Sequence, residues 1–235
     1  CQRDIAWGMI ASKHRLLRRI GHLLSSSKVQ IARRVAHEAN PFVKFEAIYG
    51  NVADAPIARH LIDADFLFLA TDTMQSRLVF NALVHQYLIP GIQIGAKVQA
   101  DRATGYIQNV FAVTRLVLPT SGCLLCNGAI SSAQLQREAL SESEWQRQRY
   151  IDEEDIPDPS VITLNALSAS QAMNDFLFIV TGLLDEVQPE YILMFPRERA
   201  SEKVLLRQDS ECSMCSLSQG SCYARGDRGH LPCRQ

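Results

Sequence analysis

The chain has 235 residues, of which 47% are apolar and 21% are charged, and its formal net charge is −1. This balance is typical of a soluble globular protein of one large or two small domains, and it argues against nucleic acid as a partner. No apolar run reaches the roughly 18 residues that a membrane-spanning helix needs, and no charged-then-apolar leader is present. We therefore expect a cytoplasmic protein that binds neither nucleic acid nor a membrane.

The first part of the chain alternates between helical and strand patterns. Hydroxyl residues 25–27 precede an amphipathic stretch that stops at Asn40 and Pro41, which is typical of a capped helix. Residues 43–48 alternate in period two and predict a strand, whereas 65–70 form a continuous apolar run, as in a strand buried on both faces of a parallel sheet. The other predicted elements here are a short helix over 55–62, an amphipathic helix over 74–88 and a strand over 92–96. This order predicts an α/β fold with a Rossmann-like, mainly parallel sheet flanked by helices.

The pattern changes after residue 96. Short alternating runs around a turn at residues 103–105 predict antiparallel strands, and the polar stretch 131–160 predicts a surface helix followed by a crossover loop. The longest helical pattern covers 161–184 and closes at Gly182. Two further strands, within 191–195 and 203–207, precede a cysteine-rich tail. We therefore expect an antiparallel extension of the sheet.

Four of the seven cysteines form two CxxC pairs, Cys123 with Cys126 and Cys212 with Cys215. Seven cysteines without an export signal are not typical of a disulfide framework. Two residues between thiolates allow both to bind one ion, and two such pairs complete a closed tetrahedral Cys₄ zinc site. Because no coordination position stays open, such a zinc ion is structural and joins distant parts of one domain. The alternatives are a redox CxxC or uncoupled thiols, although neither pair lies on the strand-to-helix turn that a redox site requires.

Asp72 follows the most hydrophobic strand of the chain, in the stretch FLFLATDTMQSR. Ligands of open α/β sheets bind beyond the carboxyl ends of the strands, where the chain leaves a strand for a helix. A carboxylate at this point can bind Mg²⁺. The next helix carries Arg77, and its N-terminal amides are predicted to be unpaired and open to an anion. The alternative is that Asp72 only caps that helix.

Together these features resemble the ThiF/MoeB/HesA family of ubiquitin-like-protein activating enzymes. The resemblance runs from residue 13 to residue 215, through the stretches FLFLATDTMQSRLVFNALVHQYLIPGIQIG, LVLPTSGCLLC, SVITLNALSASQAMNDFL and CSMC. It implies ATP-dependent adenylation of the C-terminal carboxylate of a ubiquitin-like or sulfur-carrier protein, with release of pyrophosphate. It also implies ATP, Mg²⁺ and a structural Zn²⁺ as cofactors, and a homodimer or heterodimer.

The resemblance assigns roles to individual residues. Asp72 matches the family's Mg²⁺-associated aspartate, and Lys28 matches a lysine that contacts the nucleotide phosphates. Arg18 matches a motif arginine, although the asparagine of that motif is missing here and Arg19 could be the equivalent. The resemblance therefore implies catalytic roles for Asp72, Arg18 and Lys28, and we expect Arg77 to join Lys28 and Asp72 in binding the nucleotide. Adenylyl transfer needs mainly positioning and neutralised charge, which these residue types supply. Taken alone, Lys28 is more often a solvated helix charge, and Arg18 is one member of a basic cluster.

Three features depart from the family pattern. The glycine-rich phosphate loop and the acidic ribose contact have no counterpart before residue 18, and residues 14–21 follow the arginine motif only loosely. No cysteine for a thioester step occurs within 127–160, where the crossover loop is expected. Because the chain also opens on Cys1 rather than on methionine, we expect a fragment of a longer gene product or a degenerate paralogue.

These expectations divide the chain into three parts. They are a partial Rossmann-like nucleotide-binding half over 1–96, an antiparallel and zinc-binding half of the same domain over 97–216, and a C-terminal tail over 217–235. The leading hypothesis is a ThiF-type adenylyltransferase whose nucleotide loop lies outside this chain. The alternative is a non-catalytic, zinc-stabilised scaffold or pseudo-enzyme subunit that pairs with an active partner. A nicotinamide-dependent Rossmann enzyme is disfavoured by the missing GxGxxG and by the paired CxxC motifs.

Overall fold

The computed structural model describes residues 27–101, 104–139, 161–183 and 190–234, and the chain forms two compact units, Cys1–Asn51 and Val52–Gln235. The described part of the smaller unit contains helix α1, Lys28–Ala39. The Ser27 hydroxyl accepts from the Gln30 amide at 3.3 Å, and the Gln30 side chain accepts from the Ser27 amide at 3.2 Å. This reciprocal capping box fixes the helix start that the hydroxyl run predicts.

The strand predicted over residues 43–48 is wrong. These residues have no regular secondary structure, and none of the described strands pairs with them. A period-two pattern makes a strand only where a neighbouring strand accepts its backbone hydrogen bonds. Val43 is still 36% exposed, so the alternation does not bury an apolar face here.

The larger unit contains a five-stranded sheet in the order β1-β2-β3-β4-β5. The strands are β1 Leu67–Leu69, β2 Gly91–Ala100, β3 Ile107–Val117, β4 Glu190–Phe195 and β5 Ala200–Leu205. β1 pairs with β2 in parallel, and the other neighbours pair antiparallel. The predicted α/β sheet with an antiparallel extension is confirmed. The described strands form a mixed sheet, however, and not a mainly parallel one, because three of their four pairings are antiparallel.

Helices cover both faces of this sheet. They are α2 Ala55–Arg59, α3 Met74–Gln86, α4 Ser132–Ala139 and α5 Ile162–Thr181. Val117 belongs to the core that α3 shares with β1, whereas Leu116 belongs to the core beneath α5. Because consecutive strand residues point to opposite faces, the two helices lie on opposite sides of the sheet. Gly182 caps α5 in the left-handed conformation, at φ 67°, as predicted.

The turn between β1 and α3 lies at the carboxyl end of β1. Leu69 is level with Gln93 of β2 and Arg115 of β3, and both longer strands continue past this level. The sheet therefore forms an antiparallel platform beyond the point where β1 ends. Asp72 lies on the turn at this edge, where α/β sheets bind their ligands.

The C-terminal tail packs along α3. The Ala224 amide donates to the His85 carbonyl at 2.9 Å, and the Gln86 side chain donates to the Gly226 carbonyl at 2.7 Å. Near its end, the Arg234 amide donates to the Ala53 carbonyl at 2.7 Å. The tail is therefore part of the packed larger unit. No helix among the described residues is long and apolar enough to cross a bilayer.

Candidate functional site

The four cysteines of the two CxxC pairs come together in one cluster, with all sulfur atoms within 4.8 Å of one another. The separation is 3.6 Å between Cys123 and Cys126, 3.7 Å between Cys123 and Cys212, and 3.5 Å between Cys126 and Cys215. Four sulfurs at 2.3 Å from one zinc ion stand about 3.8 Å apart in a tetrahedron. A disulfide needs about 2.05 Å, so these thiols are free. The donor set fits a single closed zinc site.

Backbone amides point at the sulfurs of both loops. The Cys126 amide donates to the Cys123 sulfur, and the Met214 amide donates to the Cys212 sulfur, each at 3.4 Å. Hydrogen bonds of this kind stabilise thiolates and orient metal ligands. Each of the two CxxC turns therefore supplies one amide that favours the thiolate form of its first cysteine.

A side-chain clamp holds the two loops against each other. The Asn127 side chain donates to the Arg207 carbonyl at 3.0 Å and accepts from the Arg207 amide at 2.8 Å. Gly122 allows this approach, since a Cβ at that position would lie 2.0 Å from the Arg207 carbonyl oxygen. The cysteine cluster is thus preorganised by contacts outside the ligands themselves.

The protonation of these thiols is mutually dependent. Hydrogen bonding from Cys215 lowers the pKa of Cys123, and the same contact raises the pKa of Cys215. Burial raises the pKa of Cys126. Ionising one thiol therefore opposes ionisation of its neighbours. A divalent cation resolves this conflict because it favours the thiolate form of every ligand.

Asp72 lies at the second candidate site, with its side chain exposed in the turn before α3. The hydroxyls on either side of it are engaged: Thr73 accepts from the Ser76 amide at 3.3 Å, and the Thr71 hydroxyl bonds the Ser76 hydroxyl. Thr73 is the N-cap of α3, which excludes the alternative in which Asp72 has that role. The Asp72 carboxylate makes no hydrogen bond to any described residue, so its oxygens can bind a cation.

The first amides of α3 are paired, contrary to prediction. Glu138 of α4 accepts from the Met74 amide at 2.7 Å through one carboxylate oxygen and from the Gln75 amide at 2.9 Å through the other. The expectation of unpaired amides is wrong for these two positions. No local pattern could have revealed this contact, because Glu138 lies 63 residues from Gln75 along the chain.

Arg77 lies on α3 beside the Asp72 turn. Its guanidinium donates to the Ala129 carbonyl at 2.9 Å and so connects α3 to the loop after the first CxxC pair. Burial lowers the pKa of Arg77, and the carboxylates of Glu138 and Asp72 oppose this shift. Arg77 is therefore within electrostatic range of Asp72, while one of its guanidinium N–H groups donates to the loop carbonyl of Ala129. Its contact with a nucleotide stays a prediction.

The other predicted nucleotide residues lie in the smaller unit. Lys28 is the exposed first residue of α1. Arg18 and its alternative Arg19 lie outside the described residues.

Sequence reasoning missed Arg115, which carries a charge onto the sheet face that α3 covers. Its guanidinium donates to the Gln93 side chain and lies 5.4 Å from the centre of the Tyr191 ring. Burial lowers the pKa of Arg115 to about 10. Arg115 is level with Leu69, so this charge lies near the end of β1. An arginine within the apolar run FAVTRLVL was the available signal.

Comparison with known proteins decides the family. The model of the ThiF family matches residues 16–214, which include Asp72, Lys28 and three of the four clustered cysteines. The chain belongs to the ThiF family. The resemblance inferred from the sequence is thereby confirmed, and the tail over 217–234 lies outside the family match.

Solved structures support the same fold for this ThiF-family chain. E. coli MccB with ATP is similar with a TM-score of 0.57, and the microcin C7 biosynthetic enzyme MccB in complex with N-formylated MccA is similar with a TM-score of 0.62. Each is 16% identical, and the matches cover 81% and 82% of this chain but 51% and 53% of the MccB chains. The chain thus spans about half the length of the solved structures it matches. A search of curated proteins gave no match.

Proposed function

We propose that this ThiF-family chain belongs to an ATP-dependent adenylyltransferase that activates the C-terminal carboxylate of a ubiquitin-like or sulfur-carrier protein. The observation that carries this proposal is the Asp72 carboxylate, which is exposed and uncommitted at the carboxyl end of β1. A cation bound there lies where open α/β sheets hold their ligands. Mg²⁺ is retained by one or two carboxylates together with phosphate oxygens, which one aspartate can satisfy.

The roles proposed for Asp72, Lys28 and Arg18 come from the family resemblance, and their charges suit those roles. Asp72 holds Mg²⁺, and Lys28 and Arg18 neutralise the phosphates of ATP. Arg77 adds positive charge beside Asp72, since its guanidinium is attracted to that carboxylate. Bound ATP would supply the adenylyl group, and pyrophosphate together with Mg²⁺ would be a good leaving group. The protein would position the reactants and neutralise their charge. Attack by a carboxylate on the α-phosphate needs no protein nucleophile.

The solved MccB structures support this class of reaction. One of them contains ATP, and another contains N-formylated MccA. A nucleotide and a second molecule are therefore both held by proteins of this fold. For the present chain we propose ATP and a partner with a free C-terminal carboxylate.

We further propose one structural Zn²⁺ on Cys123, Cys126, Cys212 and Cys215. The four sulfurs have the separations that a tetrahedral ion requires. Free thiols among the described cysteines fit a reducing compartment, so we propose a cytoplasmic location.

We also propose that the protein works as a dimer through α5. This helix buries Leu164, Ser168 and Ala172 against the sheet, whereas Leu177 is 45% exposed and Val180 is 56% exposed. An exposed apolar helix face of this kind is a candidate interaction surface. A second copy of the chain would cover it by helix packing.

The test is ATP–pyrophosphate exchange with Mg²⁺ and a panel of sulfur-carrier and ubiquitin-like proteins. It compares this chain and the chain extended to its natural start, each with and without the substitution Asp72→Asn. Exchange that is lost in Asp72→Asn at an unchanged melting temperature supports the enzyme, because the exposed Asp72 side chain contributes no hydrogen bond to the described fold. If the Asp72→Asn variant and its parent chain show equal exchange, the proposed role of Asp72 is overturned.

The alternative of a non-catalytic scaffold rests on a different observation. No GxGxxG loop precedes Lys28 in this chain, so the sequence contains no phosphate loop of that type. Silence in every exchange assay, with one zinc ion still bound, would favour a zinc-stabilised subunit that pairs with an active partner.

A further inference from the structure

The contacts from Glu138 and from the Thr73 hydroxyl give the first three amides of α3 a partner. Glu138 accepts from the Met74 and Gln75 amides, and Thr73 accepts from the Ser76 amide through its hydroxyl and from the Arg77 amide through its carbonyl, at 3.3 Å each. A helix start normally leaves four amides for caps, water or ligands. Here the three amides within the helix itself, those of Met74, Gln75 and Ser76, are already taken, and the Arg77 amide makes the first regular helical hydrogen bond.

The Glu138 contact is strong for its kind. Both carboxylate oxygens accept from backbone amides, at 2.7 and 2.9 Å, and the negative charge lies at the positive end of the α3 dipole. Arg77, one turn further along α3, is attracted to the same carboxylate. An internal carboxylate therefore occupies the place where a phosphate group would otherwise bind a helix start.

We propose that Glu138 is a positioning residue of the nucleotide edge, with two effects. Its carboxylate fixes the turn that carries Asp72, and it keeps phosphate off the N-terminus of α3. Phosphate groups then meet a cation on Asp72 and the basic side chains proposed above, but not the first amides of α3. The role in nucleotide binding rests on the proposed function, whereas the exclusion of phosphate from α3 does not.

The geometry explains why the turn depends on this carboxylate. Thr71 and Thr73 both bond to Ser76, so the turn is attached to the first turn of α3 on either side of Asp72. If the amides of Met74 and Gln75 lost Glu138, neither would keep a hydrogen-bond partner, and the turn would be attached only through side-chain contacts and the bonds from Thr73. The first turn of α3 would then fray, and Asp72, which directly precedes it, would no longer be held in one position.

The test uses amide signals of the full chain labelled with ¹⁵N, in wild type, Glu138→Ala and Glu138→Gln. The control is Gln136→Ala, which removes an exposed polar side chain from the same helix. In Glu138→Ala we expect hydrogen exchange at Met74 and Gln75 to accelerate by about tenfold or more, because charge-assisted hydrogen bonds are lost. Inorganic phosphate should then shift these two signals in Glu138→Ala, but not in wild type or in the control.

Two results would overturn the proposal. One is unchanged exchange at both amides in Glu138→Ala, and the other is an equal effect of phosphate on wild type and variant. If Glu138→Ala does not fold, Glu138→Gln decides, because its side chain keeps one acceptor oxygen and loses the charge. Protection of a single amide is then expected, and protection of both at the wild-type level refutes the role of the charge.

Calorimetry with ATP tests the functional part separately. In wild type, Mg²⁺ should strengthen ATP binding, whereas Glu138→Ala should bind ATP more tightly than wild type in the absence of Mg²⁺, which a purely stabilising contact would not produce. Equal Mg²⁺ dependence in the two proteins contradicts the proposal. If wild type does not bind ATP at all, the proposed function fails, while the amide and phosphate results still decide the role of Glu138.

Discussion

Replacing Gly122 with alanine should weaken zinc binding without touching a ligand. The added Cβ would lie 2.0 Å from the Arg207 carbonyl oxygen and 2.7 Å from the carbonyl carbon. These are backbone atoms, so no side-chain rotation relieves the contact. Since carbon–oxygen contacts settle at about 3.3 Å, Arg207 must retreat by about 1.3 Å.

The magnitude follows from the clamp next to this contact. Asn127 bonds the Arg207 backbone at 2.8 and 3.0 Å, and a retreat of that size breaks both hydrogen bonds. Two lost hydrogen bonds and one overpacked contact together cost about 2–6 kcal/mol. Only part of this free-energy cost opposes metal binding. The loss of contacts that support metal ligands typically reduces metal affinity by about 10–100-fold. We expect a reduction in that range.

The assay is competition for zinc with a chromophoric chelator, together with thermal unfolding with and without zinc. Gly220→Ala is the matched control, since a Cβ there meets nothing within 4 Å. Zinc affinity and melting temperature of Gly122→Ala equal to those of Gly220→Ala would refute the reasoning. Such a result would mean that the two CxxC loops move independently of Arg207.

Two further predictions concern the zinc site and the dimer. Cys123→Ser should abolish stoichiometric zinc in the purified protein and lower the melting temperature, because a structural metal contributes folding free energy directly. After chelation, the wild-type protein should unfold at the same temperature as the variant. A chelator that leaves the wild-type melting temperature unchanged would contradict the metal site. Leu177→Glu should convert a dimer to a monomer in sedimentation experiments, because the charge lies on the exposed face of α5; a wild-type mass would assign the dimer contact to another surface.

The helices were predictable because their patterns are local. α1, α3 and α5 each have a capping residue, an apolar period or a terminal glycine within the segment itself. The cluster of the four cysteines was predictable for a chemical reason. The spacing within each CxxC pair suits a metal, even though Cys123 and Cys212 lie 89 residues apart in the sequence. Asp72 could be placed at a strand end because the continuous apolar run over 65–70 predicts a strand. The expectation that this strand is buried on both faces is wrong, since Phe68 of β1 is 44% exposed.

The remaining features depend on contacts between distant segments. Glu138 meets α3 across 64 residues, and nothing in the sequence around either one indicates the partner. Arg115 lies in an apolar strand, and its contact with Gln93 appears only once β2 and β3 are in register. The false strand over 43–48 has the converse cause, since its local alternation is real but no described strand pairs with it.

Helix α3 connects the two candidate sites and limits what the metal can do. The Asp72 turn joins its first residue, Met74, while Asn81 accepts from the amide of Leu124 in the first CxxC loop at 2.9 Å. Seven residues separate Met74 from Asn81, which is about 10 Å along the helix axis. A metal ion held by the four cysteines would have no open coordination position, and it would not reach a phosphate bound at Asp72. Loss of zinc should therefore act on the nucleotide edge only through α3, by loosening the loop that Asn81 and Arg77 hold against it.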